Sequence, residues 1–392
     1  MTRQDGCAAD PADGRAHYCE GLARVELGEG FFRPDSRPAR DVCVLLARLL
    51  GRRGPIRLLD LMAGCGIRSR RCALEAPVAL LWSNDADPDR LPLLERNLAD
   101  LPWALERRCT AVTAQHLLAG CLQRRQRFDL VDLDAFGCPS ALVPLALEAV
   151  ALEGILVLAS SDGRSPTGHD RRAAVRRLGA SARAHPAGWE LALRLQLGTV
   201  ARATWAMGRG LEPLLSFSEG RTFRTAVRLQ RRPRTRQEEC LGLIAHCHRC
   251  GAQQVQPLLS LRQWPACPCG PAAPPLAVSG PLWIGPLQHP PTLEGLLEES
   301  DASPVSAGPG SLGLLRRLAA DPAPTPRCWP TALIARHLGG GPPRLESLVS
   351  ELRQRGHGAW ISGVMAGQLR SDAPWPEILA TAAALQNARA AR

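Results

Sequence analysis

A chain of 392 residues exceeds the usual size of one compact domain, so two or three are expected, and 45% hydrophobic residues suffice for a substantial core. No stretch approaches 18 uninterrupted apolar residues, which argues against a membrane-spanning helix. The net charge of +11, carried by 48 arginines and no lysine against 37 acids, favours a polyanionic partner, of which nucleic acid is the commonest.

The N-terminal stretch MTRQDGCAADPADGRAHYCEG contains no apolar signal segment, and most of the fourteen cysteines are scattered singly. A soluble cytoplasmic protein with reduced thiols is expected. From about Ile56, short apolar runs alternate with helical ones. RLLDLMAG reads as a strand followed by a helix through about Glu75, VALLWSND as a strand, LPLLERNLADL as a helix, and residues 106–112 as a polar strand. FDLVDLD, a helix over residues 140–150 and the strand GILVLASSD continue the pattern. Such alternation requires right-handed parallel crossovers and therefore an α/β, doubly wound sheet, with ligands at the carboxyl ends of its strands.

After Pro213, LLSFSE and TFRTAVRLQ read as an antiparallel edge. The polar, Pro-interrupted run QRRPRTRQEE marks a boundary between residues 1–230 and 231–392. Its Arg231, Arg232, Arg234 and Arg236 are candidate phosphate contacts, or simply a solvated linker. The second part is Pro-rich, with a flexible-looking patch at residues 298–313 and helical segments over 311–320, 330–338 and 344–355.

DLMAGCGIRS (residues 60–69) follows the first apolar strand, so Gly64 and Gly66 fall at a strand-to-helix turn where backbone can approach a ligand closely. An ordinary tight turn would look the same, but the second strand ends in Asn84-Asp85, where a nucleoside ribose finds an acceptor. With no third glycine for a pyrophosphate, S-adenosylmethionine is preferred to a dinucleotide. FDLVDLDAFGCP (residues 128–139) is then the fourth strand of a methyltransferase sheet. A carboxylate at its end suits a ring-conjugated amine substrate, accepting an N–H bond and taking the proton as nitrogen attacks. Asp134 is the candidate for that role and Phe136 for stacking on the base, unless Asp132 and Asp134 merely cap the following helix. CHRCGA (residues 247–252) and CPCGP (residues 267–271) place Cys247, Cys250, Cys267 and Cys269 in two close pairs that suit tetrahedral zinc. The second pair is one residue short of C-x2-C, and His246 and His248 are alternative ligands.

Together with EGFFRPDSRPARD (residues 29–41), NDADP, SSD, EPLLSFS, GPLWIG and RSDAPW, these motifs resemble, in order and over nearly the whole chain, the tRNA guanosine-26 N2-dimethyltransferases. The resemblance implies a class I S-adenosylmethionine-dependent methyltransferase domain, Rossmann-like, over residues 1–230. A smaller α+β tRNA-binding domain would follow over 231–392, with the cysteine knuckles in a segment at 240–287. By motif, Arg40 would reach cofactor or substrate with Phe32 nearby, and Asp60, Gly64, Gly66 and Asp85 would hold the cofactor, with Asp132 supporting the same pocket. Asp134 would be the catalytic acid and Phe136 the guanine-stacking ring, for methylation at the exocyclic N2 of a tRNA guanosine, first mono- then dimethyl. Three departures stand out: DAFG replaces the family's DPFG, Arg33 replaces the Asn of an N-P pair, and Thr113 stands where an acid facing the adenine amine is expected. They leave open a second function, a methyltransferase fold that binds RNA without chemistry.

Overall fold

The computed structural model describes residues 6–9, 16–270 and 273–390; parts of the N-terminal stretch read above lie outside them, as does Pro271. Strands β1 (Gly6–Ala9), β2 (Ala16–Glu20) and β3 (Ala23–Glu26) form an antiparallel sheet whose Tyr18, Ala23 and Val25 pack on Cys65, Ile67 and Leu93. Helix α1 (Arg37–Gly51) follows, buried continuously from Ala39 to Ala47 because it is covered on more than one side. The sequence reading above did not foresee it.

The alternating region then runs β4 (Ile56–Asp60), α2 (Ile67–Glu75), β5 (Val78–Asp85), α3 (Leu91–Leu98), β6 (Glu106–Ala111), α4 (Ala114–Gln123), β7 (Phe128–Ala135), α5 (Val143–Ala149) and β8 (Val150–Ser160). Two unforeseen helices, α6 (Arg171–Leu178) and α7 (Gly188–Ala206), lead to β9 (Gly210–Glu219) and β10 (Thr222–Gln230). These strands make one seven-stranded sheet in the order β6-β5-β4-β7-β8-β10-β9. It is parallel from β6 to β8, and β10 runs antiparallel to both of its neighbours. Leu58, Leu59, Leu130, Val131 and Leu133 are fully buried, as expected for parallel strands covered on both faces. One face packs against α4, α5 and α7, the other against α1, α2 and α3. Strand order reverses between β4 and β7, so the crossovers diverge there and leave a crevice at their carboxyl ends.

Past residue 230, Arg234 pairs with Glu212 and Arg236 with Glu239 (2.7 Å), so two of the four arginines considered for phosphate contact are already engaged within the fold. Strands β11 (Leu241–His246), β12 (Gln253–Pro257) and β13 (Ala277–Trp283) form an antiparallel sheet in the order β12-β11-β13. It lies against α7, where Gly198 is needed: a Cβ there would meet Leu282 Cα at 2.9 Å.

Residues 298–313, expected to be flexible, instead belong to α8 (Pro290–Ala302), α9 (Pro309–Ala319) and the turn joining them. Two forces order this segment. Leu293, Leu296, Leu314, Leu315 and Leu318 are buried against the α1 face, each contributing about 1.5–3 kcal/mol. A fully buried Arg71 also ties Glu20, Asp41 and Glu75 to the Ser306 carbonyl, while Asp41 accepts from Gly308 N (2.8 Å) and Ser311 Oγ (2.6 Å). The remaining elements are β14 (Cys328–Pro330), α10 (Thr331–Leu338), α11 (Leu345–Gln354), β15 (Ala359–Ile361), β16 (Gln368–Ser371) and α12 (Trp375–Ala390), packed around Trp329, Ile334, Leu348 and Ile378. Among the described residues no helix is long and apolar enough to cross a membrane.

Candidate active site at the carboxyl edge of the sheet

A cleft of about 940 Å³ opens where the strand order reverses, near the upper end of the roughly 300–1,000 Å³ usual for small-molecule sites. Phe32, Arg40, Asp60, Gly64, Asp85, Asp134 and Phe136 all line it; Gly66 and Asp132 do not.

Gly64 has φ +55°, and a Cβ built on it would meet nothing within 4 Å, so the turn presents bare backbone to the cleft. Its N–H donates to Asp85 Oδ2 (2.9 Å), while Asp85 Oδ1 accepts from Asp87 N (3.0 Å), which fixes the β5 carboxylate at the cleft wall with lone pairs to spare. Gly66 is a different case. It has φ +80° at the start of α2, and a Cβ would come within 2.7 Å of Leu94 Cδ1, so close packing on α3 requires glycine there rather than approach to a ligand.

Asp60 is fully buried beside Asp132, its register partner on β7. Its Oδ2 accepts from Ser69 Oγ at 2.8 Å, and burial raises its pKa. Asp132 is 1% exposed and stands behind the cleft rather than in it, because it sits two residues further from the carboxyl end of β7 than Asp134 does. Its counter-ion is Arg68 from α2, whose Nη1 donates to Asp132 Oδ1 and whose Nη2 donates to Asp134 Oδ2 (2.6 Å). Burial nevertheless pushes Asp132 up to about 7, offset only in part by Arg68 and reinforced by Asp60 and Asp134.

Asp134 behaves oppositely. Burial alone would raise it, but Arg68 and Arg224 together hold it well below the usual carboxylate range. Arg224 Nη1 donates to the same Oδ2 at 3.1 Å. Both guanidiniums therefore bind one oxygen, and among the described residues Oδ1 carries no hydrogen bond and lies on the cleft side, the carboxylate being 26% exposed. Neither aspartate caps the following helix: the turn after β7 starts its 3-10 segment at Cys138 with no side-chain cap.

Phe136 is 79% exposed and meets the 71% exposed Phe31 edge-on, with ring centroids 5.4 Å apart. Two large apolar rings left in water at a cleft mouth suit a planar ligand entering between or beside them. Phe32 packs edge-on against Tyr18, and Arg40 lies over Phe32 while bonding Glu20 and the carbonyls of Arg33 and Pro34. Arg40 thus shapes the loop at the cleft's rim. At the DAFG turn, Gly137 N donates to Ser161 Oγ (2.7 Å) and Ser160 Oγ donates to the Gly137 carbonyl (2.9 Å), which ties the turn to the end of β8. Thr113 lines the cleft and caps α4, accepting from His116 N at 3.3 Å.

Far from this cleft, the sulfurs of Cys247, Cys250, Cys267 and Cys269 lie within 4.8 Å of one another, with Cys247 to Cys269 at 3.9 Å and Cys250 to Cys267 at 3.5 Å. Zn–S bonds of about 2.3 Å in a tetrahedron separate sulfurs by roughly 3.8 Å, so the shortened second knuckle still reaches the required geometry. All four are free thiols, with no disulfide among them. Trp329 Nε1 donates to the Gly251 carbonyl (2.8 Å) and Trp375 Nε1 to that of Cys250, and the two indoles stack at 5.4 Å.

Arg68, Arg224 and Phe31 were not singled out from the sequence, although all three sit inside stretches quoted above: DLMAGCGIRS, TFRTAVRLQ and EGFFRPDSRPARD. The signal was available: two acids at i and i+2 on a buried strand share one face and require a cation.

Residues 22–383 match the family described as N2,N2-dimethylguanosine tRNA methyltransferase. A tRNA (guanine(26)-N(2))-dimethyltransferase of Methanosphaerula palustris is 31% identical over 90% of this chain and 91% of its own length. One of the same name from Thermococcus kodakarensis is 28% identical over 91% and 96%. Among solved structures, Trm1 from Pyrococcus horikoshii in complex with S-adenosyl-L-methionine superposes with a TM-score of 0.80 at 25% identity, covering 93% of this chain and 99% of that one.

Proposed function

The chain belongs to the N2,N2-dimethylguanosine tRNA methyltransferase family, and from that premise we propose how its cleft methylates the exocyclic N2 of guanosine 26 in tRNA with S-adenosylmethionine. The observation that carries the reading is the free Oδ1 of Asp134, on a carboxylate anchored through its other oxygen.

S-adenosylmethionine supplies an electrophilic methyl group on a sulfonium; the chain supplies the rest. The bare Gly64 turn leaves room for the cofactor backbone, and Asp85 accepts from its ribose hydroxyls. Phe136, with Phe31 at its edge, stacks on the flipped guanine, and Asp134 Oδ1 accepts an N2–H. As N2 attacks, positive charge spreads over the purine, and a carboxylate kept ionised by Arg68 and Arg224 stabilises it. Asp134 then takes the N2 proton. A carboxylate held below the usual range is a weak base, but a guanine methylated to a cation at N2 is a far stronger acid, so the transfer runs downhill. One N–H remains after the first methyl, which lets the same bond serve a second round.

Guanosine 26 lies within folded tRNA, so its base must leave the stack at a cost of a few kcal/mol. Phosphate contacts made by the arginine surplus offset that cost. The reading extends to three further points. Residues 231–392 hold the tRNA body, supported by their separate core around Trp329 and Trp375, although α8 and α9 pack back on the catalytic sheet. Zinc binds Cys247, Cys250, Cys267 and Cys269, supported by sulfur spacings that fit a tetrahedron. The cytoplasm is the site of action, supported by free cysteines such as Cys43, Cys72, Cys121 and Cys328. Transfer of label from S-adenosylmethionine to tRNA, followed by nucleoside analysis, tests the function: mono- and dimethylguanosine at position 26 are expected, and binding of tRNA without transfer would contradict it.

A further inference from the structure

Arg224 is more than a counter-ion. It is 5% exposed, it lines the cleft, and it is held from behind: its Nε donates to Glu219 Oε2 (2.9 Å), and Glu219 Oε1 accepts from Ala39 N at the start of α1 (3.0 Å). Its Nη1 is spent on Asp134 Oδ2. Among the described residues nothing is bonded to Nη2, and that nitrogen is not among the buried atoms lacking a partner, so it opens toward the cleft.

The two side chains therefore form a fixed row: a free acceptor, Asp134 Oδ1, then the anchored Oδ2, then guanidinium donors. The Watson–Crick edge of guanine presents the complement, with N2–H and N1–H as donors and O6 as an acceptor. Placing N2–H on Oδ1 sets O6 on the Arg224 side. Adenine, with an amine where guanine has O6, would direct N–H groups at a guanidinium that has only donors. We propose that Arg224 is a specificity-determining residue that reads guanine O6 while Asp134 holds N2. Glu219 and the first turn of α1 position it. The inference rests on the placement of the target amine at Asp134. Arg68 is placed differently, with each of its terminal nitrogens bonded to a carboxylate, Asp132 and Asp134, so that it lies between the two acids as their counter-ion.

The test compares tRNA transcripts carrying guanosine or 2-aminopurine riboside at position 26. The second base keeps the N2 amine but lacks both O6 and the N1 proton, so the quantity read is the loss caused by the Arg224 substitution on each base. Wild type and Arg224→Gln are compared on both by kcat/KM for methyl transfer. Losing a hydrogen bond from a charged donor costs about 10- to 100-fold. Arg224→Gln should therefore lose about that factor more on guanosine than on 2-aminopurine, and Arg224→Lys should restore part of it. Equal losses on both bases would overturn the inference and leave Arg224 as a partner of Asp134 alone. A wild-type protein that transfers no methyl to guanosine tRNA would overturn the functional reading, and this inference with it. Unchanged S-adenosylmethionine binding by the variants shows that they are folded.

Discussion

Arg68 donates to Asp134 Oδ2 at 2.6 Å from a helix that begins at the glycine turn, so the catalytic strand and the cofactor turn are joined by a single guanidinium. Its other terminal nitrogen holds Asp132. Because strand side chains alternate, both acids face the same way, and one cation on α2 reaches each.

Above pH 7, where Asp132 is ionised, Arg68→Met should leave it buried without a partner, and removing one member of a buried ion pair typically costs about 3–5 kcal/mol. Chemical denaturation measures it. A loss below about 1 kcal/mol, the range of exposed pairs, would show that the bridge contributes little.

Asp132 gives the protein a pH signature. Its carboxyl, raised from 3.8 to about 7 in the folded state, keeps its proton where the unfolded chain has lost it, so this group makes stability fall as pH rises between those values. Asp132→Asn should flatten the decline of melting temperature from about pH 5 to pH 7. Parallel profiles for the two proteins would assign the buried proton elsewhere.

How much of this was legible in the sequence depends on the range of the forces involved. Strands β4, β5, β7 and β8 announce themselves, because a parallel strand covered on both faces must be a continuous apolar run, whereas β6, at the sheet edge, is polar. Helix α7 does not announce itself: Leu191 to Leu197 are buried on most sides, which erases the amphipathic period that a surface helix shows. Asp134, Asp85 and Gly64 were readable from position at strand ends. Arg68 and Arg224 were hidden for the opposite reason, since an arginine in a chain with 48 of them carries no signal until the fold sets it beside an acid. Helix α9 was legible from residue 311 on, but the turn at Ser306 is tied to Arg71, more than 200 positions away, and no local pattern could supply that.

Asp85→Ala should weaken S-adenosylmethionine binding, because the side chain both faces the ribose site and accepts the Gly64 N–H that sets the turn. Loss of a hydrogen bond to a charged group is worth roughly 1.5–3 kcal/mol. Calorimetry decides, and an unchanged dissociation constant would remove Asp85 from the cofactor site.

For the cysteine cluster, elemental analysis of purified protein should find about one zinc per chain, as a closed four-thiolate site requires. Chelation should lower the melting temperature, since Trp329 and Trp375 are bonded to carbonyls of the knuckle. Metal-free protein with normal thermal stability would mean the cluster folds on packing alone.

The central claim is that Asp134 acts on the substrate amine and not on the cofactor. Asp134→Asn keeps the shape of the side chain and removes the charge that Arg68 and Arg224 hold in place. Single-turnover methyl transfer to tRNA should fall about 10²- to 10⁴-fold, the usual loss for a positioned general base, while the S-adenosylmethionine dissociation constant stays that of the wild type. A variant that methylates guanosine 26 at the wild-type rate would contradict the account.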